Sequence, residues 1–195
     1  MNSDEFIRNF SLNLPVEYHS ESLERLSGQS TAHFRKAAVL IGCVERNSGL
    51  NIILTRRARH LRHHPGQIAF PGGKYEESDH SLEQTAIREA WEETGIPAHQ
   101  VEVLGKLPEL VTISRFSVTP VIARVSADYQ PVIDKNEVDD LFEVPASHLL
   151  NIEQLYSQRF NIQGINHRVF AIPYKHHFIW GVTAQIIQAL QQQIK

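Results

Sequence analysis

Three glutamates, Glu89, Glu92 and Glu93, fall inside the run 88–96, Arg-Glu-Ala-Trp-Glu-Glu-Thr-Gly-Ile. The segment 82–94 reads as a helix, with Ser81 as its N-cap, Gln84 completing a capping box, and Gly95 and Pro97 closing the far end. At about 100° per residue the three carboxylates share one stripe, while Ala86, Ile87, Ala90 and Trp91 occupy the adjoining arc and are expected to face a core. Like charges at i,i+3 and i,i+4 repel, and glutamates near a helix C-terminus oppose the macrodipole, so a cation should compensate. A hard dication such as Mg²⁺ meets that need, because it takes oxygen ligands at about 2.0–2.1 Å from one or two carboxylates, waters and substrate phosphates. The plainer alternative is a solvated acidic face on which Arg88 merely pairs with Glu92 at i,i+4.

The residues before the helix weigh against that alternative. Gly72 and Gly73 let backbone approach a ligand, so a main-chain carbonyl here could join the carboxylates around a metal. Together these residues resemble the Nudix hydrolases, whose box runs Gly, five residues, Glu, seven residues, Arg-Glu-aliphatic-x-Glu-Glu-x-Gly-aliphatic. Arg88 to Ile96 match the second half at every defined position. The first half departs: counting from Gly73 places Asp79 where Glu belongs, whereas counting back from Arg88 places His80 there. The loop is thus one residue longer, and the first box acid stays open among Glu76, Glu77 and Asp79.

Upstream lies a dense basic block, Arg56-Arg57-Ala58-Arg59-His60-Leu61-Arg62-His63-His64. A solvated loop or a nucleic-acid patch would each account for such a run, but nucleic acid normally asks for a wider basic footprint. Its place just before a carboxylate helix favours a pocket wall for a phosphate-rich small molecule. The block is similar to the coenzyme A pyrophosphatase branch of the Nudix family, which carries Leu-Leu-Thr-x-Arg-Ser/Ala, three residues, Arg, three residues, Gly, three residues, Phe-Pro-Gly-Gly. Here stand Ile53-Leu54-Thr55-Arg56-Arg57-Ala58, then Arg62, Gly66 and Phe70-Pro71-Gly72-Gly73, with Ile53 for Leu as the sole departure.

The resemblance implies hydrolysis of the pyrophosphate of coenzyme A or its thioesters to adenosine 3',5'-bisphosphate and (acyl-)4'-phosphopantetheine, with Mg²⁺ or Mn²⁺. It implies Glu89 and Glu93 as metal ligands, Glu92 as a third and the Gly72 carbonyl as a further one. Arg88 orients the acids, and the general base is Glu89 first and Glu137 second. Arg56 and Arg62, with Gly66, Phe70 and Gly73, are expected to meet the substrate. Two other readings stand beside this one: a Nudix pyrophosphatase for another nucleoside diphosphate derivative such as ADP-ribose, and a non-catalytic nucleotide-binding module. The second expects lost box acids, yet all three glutamates are present.

The elements that position these groups follow the α/β pattern. The 195 residues, 42% of them hydrophobic, suit one Nudix domain over 37–195 with residues 1–36 as an N-terminal arm of the same unit. A hairpin is expected from 37–44 and 50–55, with further strands at 101–107, 117–125, 168–172 and 177–180. Helices are expected at 17–26 and 182–194, and short helical turns at 137–142 and 146–150. Strands interleaved with helices give an α/β fold, and the resemblance implies a Nudix-like α/β/α sandwich with a mixed sheet. A net charge of −3 supports neither a nucleic-acid nor a membrane partner, which leaves a small-molecule substrate and allows a homodimer. The single cysteine, Cys43, lies in an apolar run and reads as a buried structural thiol in a cytoplasmic protein. Eleven histidines show no His-Glu-x-x-His spacing, so a zinc site is not expected.

Overall fold

The computed structural model describes residues 1–23, 33–162 and 164–195. Its centre is the hairpin of β1 (Arg35–Arg46) and β2 (Gly49–Arg57), closed by a two-residue turn with Arg46 opposite Gly49. From Arg35 to Val44 β1 also runs parallel to β7 (Phe116–Val125), and β5 (Val101–Lys106) closes that side antiparallel to β7. The β-branched content and continuous burial of β1 and β7 are what a strand pair covered on both faces requires.

On its other side β1 changes partner. From Cys43 onward it pairs with β2, but from Ala37 to Val39 it pairs with β4 (Gly72–Lys74). The chain reaches β4 from β3 (Ile68–Ala69), which lies on the far end of β2, and crosses through Phe70-Pro71. The sheet is therefore forked, with the end of β2 on one arm and the two glycines on the other. β6 (Leu110–Val111) and β8 (Val138–Pro145) complete a mixed sheet of eight strands among the described residues. A separate antiparallel sheet holds β9 (Tyr156–Ile162), β10 (Ile165–Tyr174) and β11 (His177–Trp180).

Helix α3 (Leu82–Thr94) packs on one face of the large sheet, with Ala86 and Ala90 against Ala38, Leu40, Val121 and Ala123. Small residues on both sides let the helix axis come close. The other face carries the larger core, in which α5 (Val182–Gln193) contributes Ile186, Ile187 and Leu190. Helix α1 (Ser3–Leu12), capped by Asn2, inserts Phe6 and Phe10 into the same core, and Phe10 fills the space where a side chain on Gly105 would stand. The layers form the expected α/β/α sandwich.

Two sequence expectations change. Residues 138–145 form a strand rather than helical turns, because pairing with β2 from Asn51↔Pro145 to Arg56↔Asp140 supplies backbone partners that an isolated acidic turn lacks. The turn at 146–150 is the short helix α4 (Ala146–Leu149), as expected. Trp91 is 54% exposed instead of facing the core, since the alanine edge is the one that docks. The sequence reading missed helix α1, although its sequence is amphipathic with Phe6 and Phe10 on the buried side, and it missed strand β9. Of the helix expected at 17–26, the described part is α2 (Ser20–Leu23), and 24–26 lie outside the described residues.

Candidate active site

The cap of α3 sets the register of its acids. Ser81 Oγ accepts from the Gln84 amide at 3.2 Å, and the Gln84 side chain reaches the amide of His80 at 2.9 Å, one residue earlier than a capping box would have it. Gly95, in the left-handed region at φ 73°, ends the helix with its N–H on the Trp91 carbonyl. Between these ends Arg88 is gripped from several directions. Its Nε and Nη2 each lie 3.0 Å from the Asp79 carboxylate, and Nη1 lies 3.0 Å from Glu89 and 3.3 Å from Glu92. Nη2 also donates to the Lys74 carbonyl at 2.9 Å. The i,i+4 pair and the orienting arrangement both exist.

Of the three acids left open for the first box position, Asp79 is the one that Arg88 grips most closely. Its carboxylate is buried and also accepts from Thr85 Oγ1 at 2.8 Å and from the Glu76 amide at 3.0 Å. Arg88 and these donors hold its pKa well below the usual carboxylate range. Glu77 is exposed, and Glu76, also exposed, reaches Arg88 only as an ion pair at 4.0 Å, so Asp79 is the loop acid held closely under Arg88.

Glu89 and Glu93, one turn apart, face the glycine arm of the fork. A Cβ on Gly73 would lie 2.5 Å from the Glu89 carboxylate, so a side chain there would displace that carboxylate. A Cβ on Gly72 would meet the Ala38 carbonyl at 2.4 Å. The Gly72 N–H donates to Glu93 Oε2 at 3.1 Å. The ladder bonds to β1 fall at Pro71 and Tyr75, so the two-residue alternation turns the Gly72 backbone away from β1 and toward the helix. The β2 arm supplies a cation: Arg57 Nη1 lies 3.8 Å from Glu93 Oε1.

Burial dominates the electrostatics. Glu93 is only 4% exposed, and the loss of water pushes its carboxyl up to about 8 against the pull of the Gly72 N–H and Arg57. Burial raises the Glu89 pKa as well, against the pull of Arg88. Glu137 adds repulsion to both from a loop tied down on either side: the Glu137 carbonyl accepts from Ala58 at 2.8 Å, and Asp134 donates to the Glu93 carbonyl at 3.0 Å. Glu92 turns outward, half-exposed, onto Arg88.

Among the described residues no three acidic or histidine side chains form a ready cation cage. Two carboxylates raised in pKa by burial and by repulsion from neighbouring acids, with backbone beside them, nevertheless suit Mg²⁺ or Mn²⁺ with few protein ligands. Mg²⁺ in particular keeps several waters and takes its remaining partners from substrate phosphates. The donor set fits a cation of that kind.

The basic block divides. Arg57 faces Glu93, while Arg56 pairs with Asp140 at 3.8 Å on the neighbouring strand. In the Leu-Leu-Thr-x-Arg spacing the defined arginine is in fact Arg57, and Arg56 occupies the free position. Arg62 is exposed and makes no hydrogen bond or ion pair with the described residues. Gly66 turns the loop at φ 69° and donates to the Arg57 carbonyl at 3.1 Å, and Phe70 is buried in the core beside the fork. The sequence reading missed Arg57, whose signal was the motif spacing itself.

Beside this centre lies a cleft of about 530 Å³, bounded by Val39, Arg57 and Phe70 from the sheet, Phe116 and Val118 from β7, and the start of α5. At the fork, buried glutamates, an orienting arginine and close glycines come together, and Arg57 is shared between them and the cleft, an arrangement that suits hydrolysis of a phosphoric anhydride. The chain belongs to the Nudix family: the NUDIX domain matches residues 34–163. It is 45% identical over 190 residues to the uncharacterized Nudix hydrolase NudL of Yersinia pestis (strain Pestoides F), covering 97% of this chain and 94% of that one. The fold is similar to the Nudix hydrolase RenU of M. smegmatis, at TM-score 0.51 and 28% identity over 58% of this chain and 72% of that one. It is also similar to the NUDIX domain of Shewanella oneidensis NrtR, solved with ADP ribose, at TM-score 0.52 and 19% identity over 92% and 100%. No helix among the described residues is long and apolar enough to cross a membrane.

Proposed function

We propose that the protein hydrolyses the pyrophosphate of a nucleoside-diphosphate-linked substrate, and that this substrate is coenzyme A or a derivative of it. The hydrolytic part rests on Glu89 and Glu93 held against Gly73 and Gly72 by Arg88 and Arg57. The coenzyme A part rests on the basic motif that leads into those glycines, with Arg57 rather than Arg56 as its inner arginine.

Glu89 and Glu93 would hold Mg²⁺ or Mn²⁺, with Glu92 and the Gly72 carbonyl as further donors. When bound, the ion neutralises charge on the bridging phosphates and lowers the pKa of water. The chain's own residues do the rest. Arg88, fixed by Asp79, keeps the Glu89 carboxylate turned toward Gly73. Arg57 places a positive charge next to Glu93, where an anionic phosphate oxygen can share it. Glu89, with its pKa raised by burial, is the first choice to take the proton of the attacking water, and Glu137 is the second.

A second reading, hydrolysis of an ADP-ribose-like substrate, gains weight from one observation: Arg56 is engaged by Asp140 and leaves fewer cations for a third phosphate. The ADP ribose bound by the NrtR domain is a ligand of that class. A product assay across coenzyme A, an acyl-coenzyme A, ADP-ribose and nucleoside triphosphates decides between the two. Coenzyme A derivatives should show the highest kcat/KM and yield adenosine 3',5'-bisphosphate. A preference for ADP-ribose by tenfold or more would move the assignment to the second reading.

A further inference from the structure

A strand edge with unpaired backbone groups is a template for another strand, and folds guard it with charges, prolines or bulges. β5, the edge of the large sheet, carries Glu102 and Lys106, and its register against β7 shifts between Val103 and Gly105. β9, the edge of the small sheet, has no such guard facing solvent. It pairs with β10 alone among the described residues and keeps one register from Tyr156↔Ala171 to Ile162↔Ile165. It holds neither proline nor lysine, and residues 156–161 are all exposed.

The two-residue alternation sorts its side chains. Arg159, the only charged residue of the strand, lies on the face of Phe170 and Ile172, which are buried in the core, and is bound there by Glu21. The other face presents Tyr156, 61% exposed, Gln158, and Phe160, 45% exposed. The row of Tyr156 continues through Ala171 to Trp180, and no Lys, Arg, Asp or Glu stands on this face of β9, β10 and β11. The strand is also symmetric about Gln158. Rotated about a two-fold axis at that residue and set antiparallel to itself, it brings Tyr156 opposite Phe160 of the second copy, and Phe160 opposite Tyr156. On the reverse face Arg159 meets Ser157 of the second copy rather than another arginine, so like charges stay apart.

We propose that the protein pairs with a second copy of itself through β9, antiparallel and centred on Gln158, which joins the two small sheets into one of six strands. A membrane surface would ask this face for basic residues, and it has none. An unrelated peptide would satisfy the backbone of the edge, but would not match aromatics two residues to either side of a common centre. Two half-exposed aromatics of roughly 200 Å² and six residues of strand from each copy bury less than the about 1,200 Å² of a standard interface, so the dimer is a micromolar, concentration-dependent one. The pairing does not depend on which substrate the enzyme takes.

Sedimentation equilibrium of the full chain from about 5 to about 500 µM tests this, and the wild type should pass from monomer to dimer over that range. Gln158→Lys sets two ammonium groups opposite each other on the axis and should raise the dissociation constant at least about tenfold, as should Gln158→Glu with two carboxylates. An equimolar mixture of the two variants should associate within about threefold of the wild type, because each charge then faces its opposite. Recovery in the mixture also shows that both variants are folded. Oxidation of Gln158→Cys should give a disulfide-linked dimer, the native Cys43 being buried. Glu153→Cys, exposed but five residues from the axis, should give none, because its two copies lie far beyond the about 7 Å that a disulfide spans. A chain that stays monomeric at about 500 µM, a Gln158→Lys variant that associates as the wild type does, or a mixture that fails to recover would overturn the proposal.

Discussion

Asp79→Ala is the sharpest perturbation of the framework, since it leaves every proposed ligand in place and removes the two-bonded partner of Arg88. The wild-type carboxylate is 1% exposed and accepts two bonds from Arg88, one from Thr85 and one from the Glu76 amide. Removing one member of a buried pair costs roughly 3–5 kcal/mol. Arg88 keeps Glu89, Glu92 and the Lys74 carbonyl, and Thr85 keeps the Ser81 carbonyl at 3.2 Å, so the lower end, about 3 kcal/mol, applies. For a chain of this size that is a fall in Tm of roughly 6–12 °C. Thermal unfolding followed by circular dichroism at pH 7.5 measures it. The sign of the pH dependence follows from the lowered native pKa: Asp79 contributes stability above its unfolded pKa of about 3.9, and that contribution is lost as pH falls through the lower native value. The stability curves of wild type and variant should therefore converge in acid. With Arg88 released, the orientation of Glu89 also loosens, and kcat should drop at least tenfold. A Tm within 2 °C of wild type with kcat unchanged would refute this reasoning.

Glu93→Gln should keep the fold and lower kcat by about 10²- to 10³-fold, the scale of one lost preorganised electrostatic group, as read by steady-state assay at saturating Mg²⁺. Because burial raises the Glu93 pKa to about 8, the native state without metal holds that proton longer than the unfolded chain; Tm in EDTA should fall between pH 5 and 8, and Glu93→Gln should flatten the slope. Arg57→Ala should cut kcat/KM for coenzyme A by about 10- to 150-fold, the equivalent of a charge-assisted bond of roughly 1.5–3 kcal/mol, and Arg56→Ala should cost less. Arg62→Ala should narrow any gap in kcat/KM between coenzyme A and dephospho-coenzyme A; equal losses on both substrates would place Arg62 at the pyrophosphate instead. Cys43, buried in β1 with its thiol pushed up to about 12, should resist iodoacetamide at pH 8, and Cys43→Ala should leave kcat within a factor of a few.

Much of the framework was legible because local chemistry and tertiary structure agree there. Ser81 and Gly95 bound α3 as a cap and a left-handed stop dictate, and the apolar runs of β1 and β7 are buried on both faces. Local signals failed where distant partners decide. Residues 138–145 become a strand only because β2 offers a free edge, and Trp91 stays outside because Ala86 and Ala90 dock more closely. The acids at 89, 92 and 93 share a stripe in the helical wheel, yet Glu93 is buried, Glu89 is partly buried and Glu92 is half-exposed. That split comes from the fork between β2 and β4, and no pattern within α3 encodes it. Arg56 and Arg57 part to opposite faces by the two-residue alternation of β2, Arg56 toward Asp140 opposite it on β8 and Arg57 toward Glu93.

Cleavage of coenzyme A in ¹⁸O-water, with and without Mg²⁺, tests the central claim most directly, because it reports which bond breaks and what attacks it. The account predicts metal-dependent formation of adenosine 3',5'-bisphosphate and 4'-phosphopantetheine, with one ¹⁸O in one of the two newly freed phosphates and no orthophosphate. Release of orthophosphate, cleavage that persists in EDTA, or products without label would contradict it.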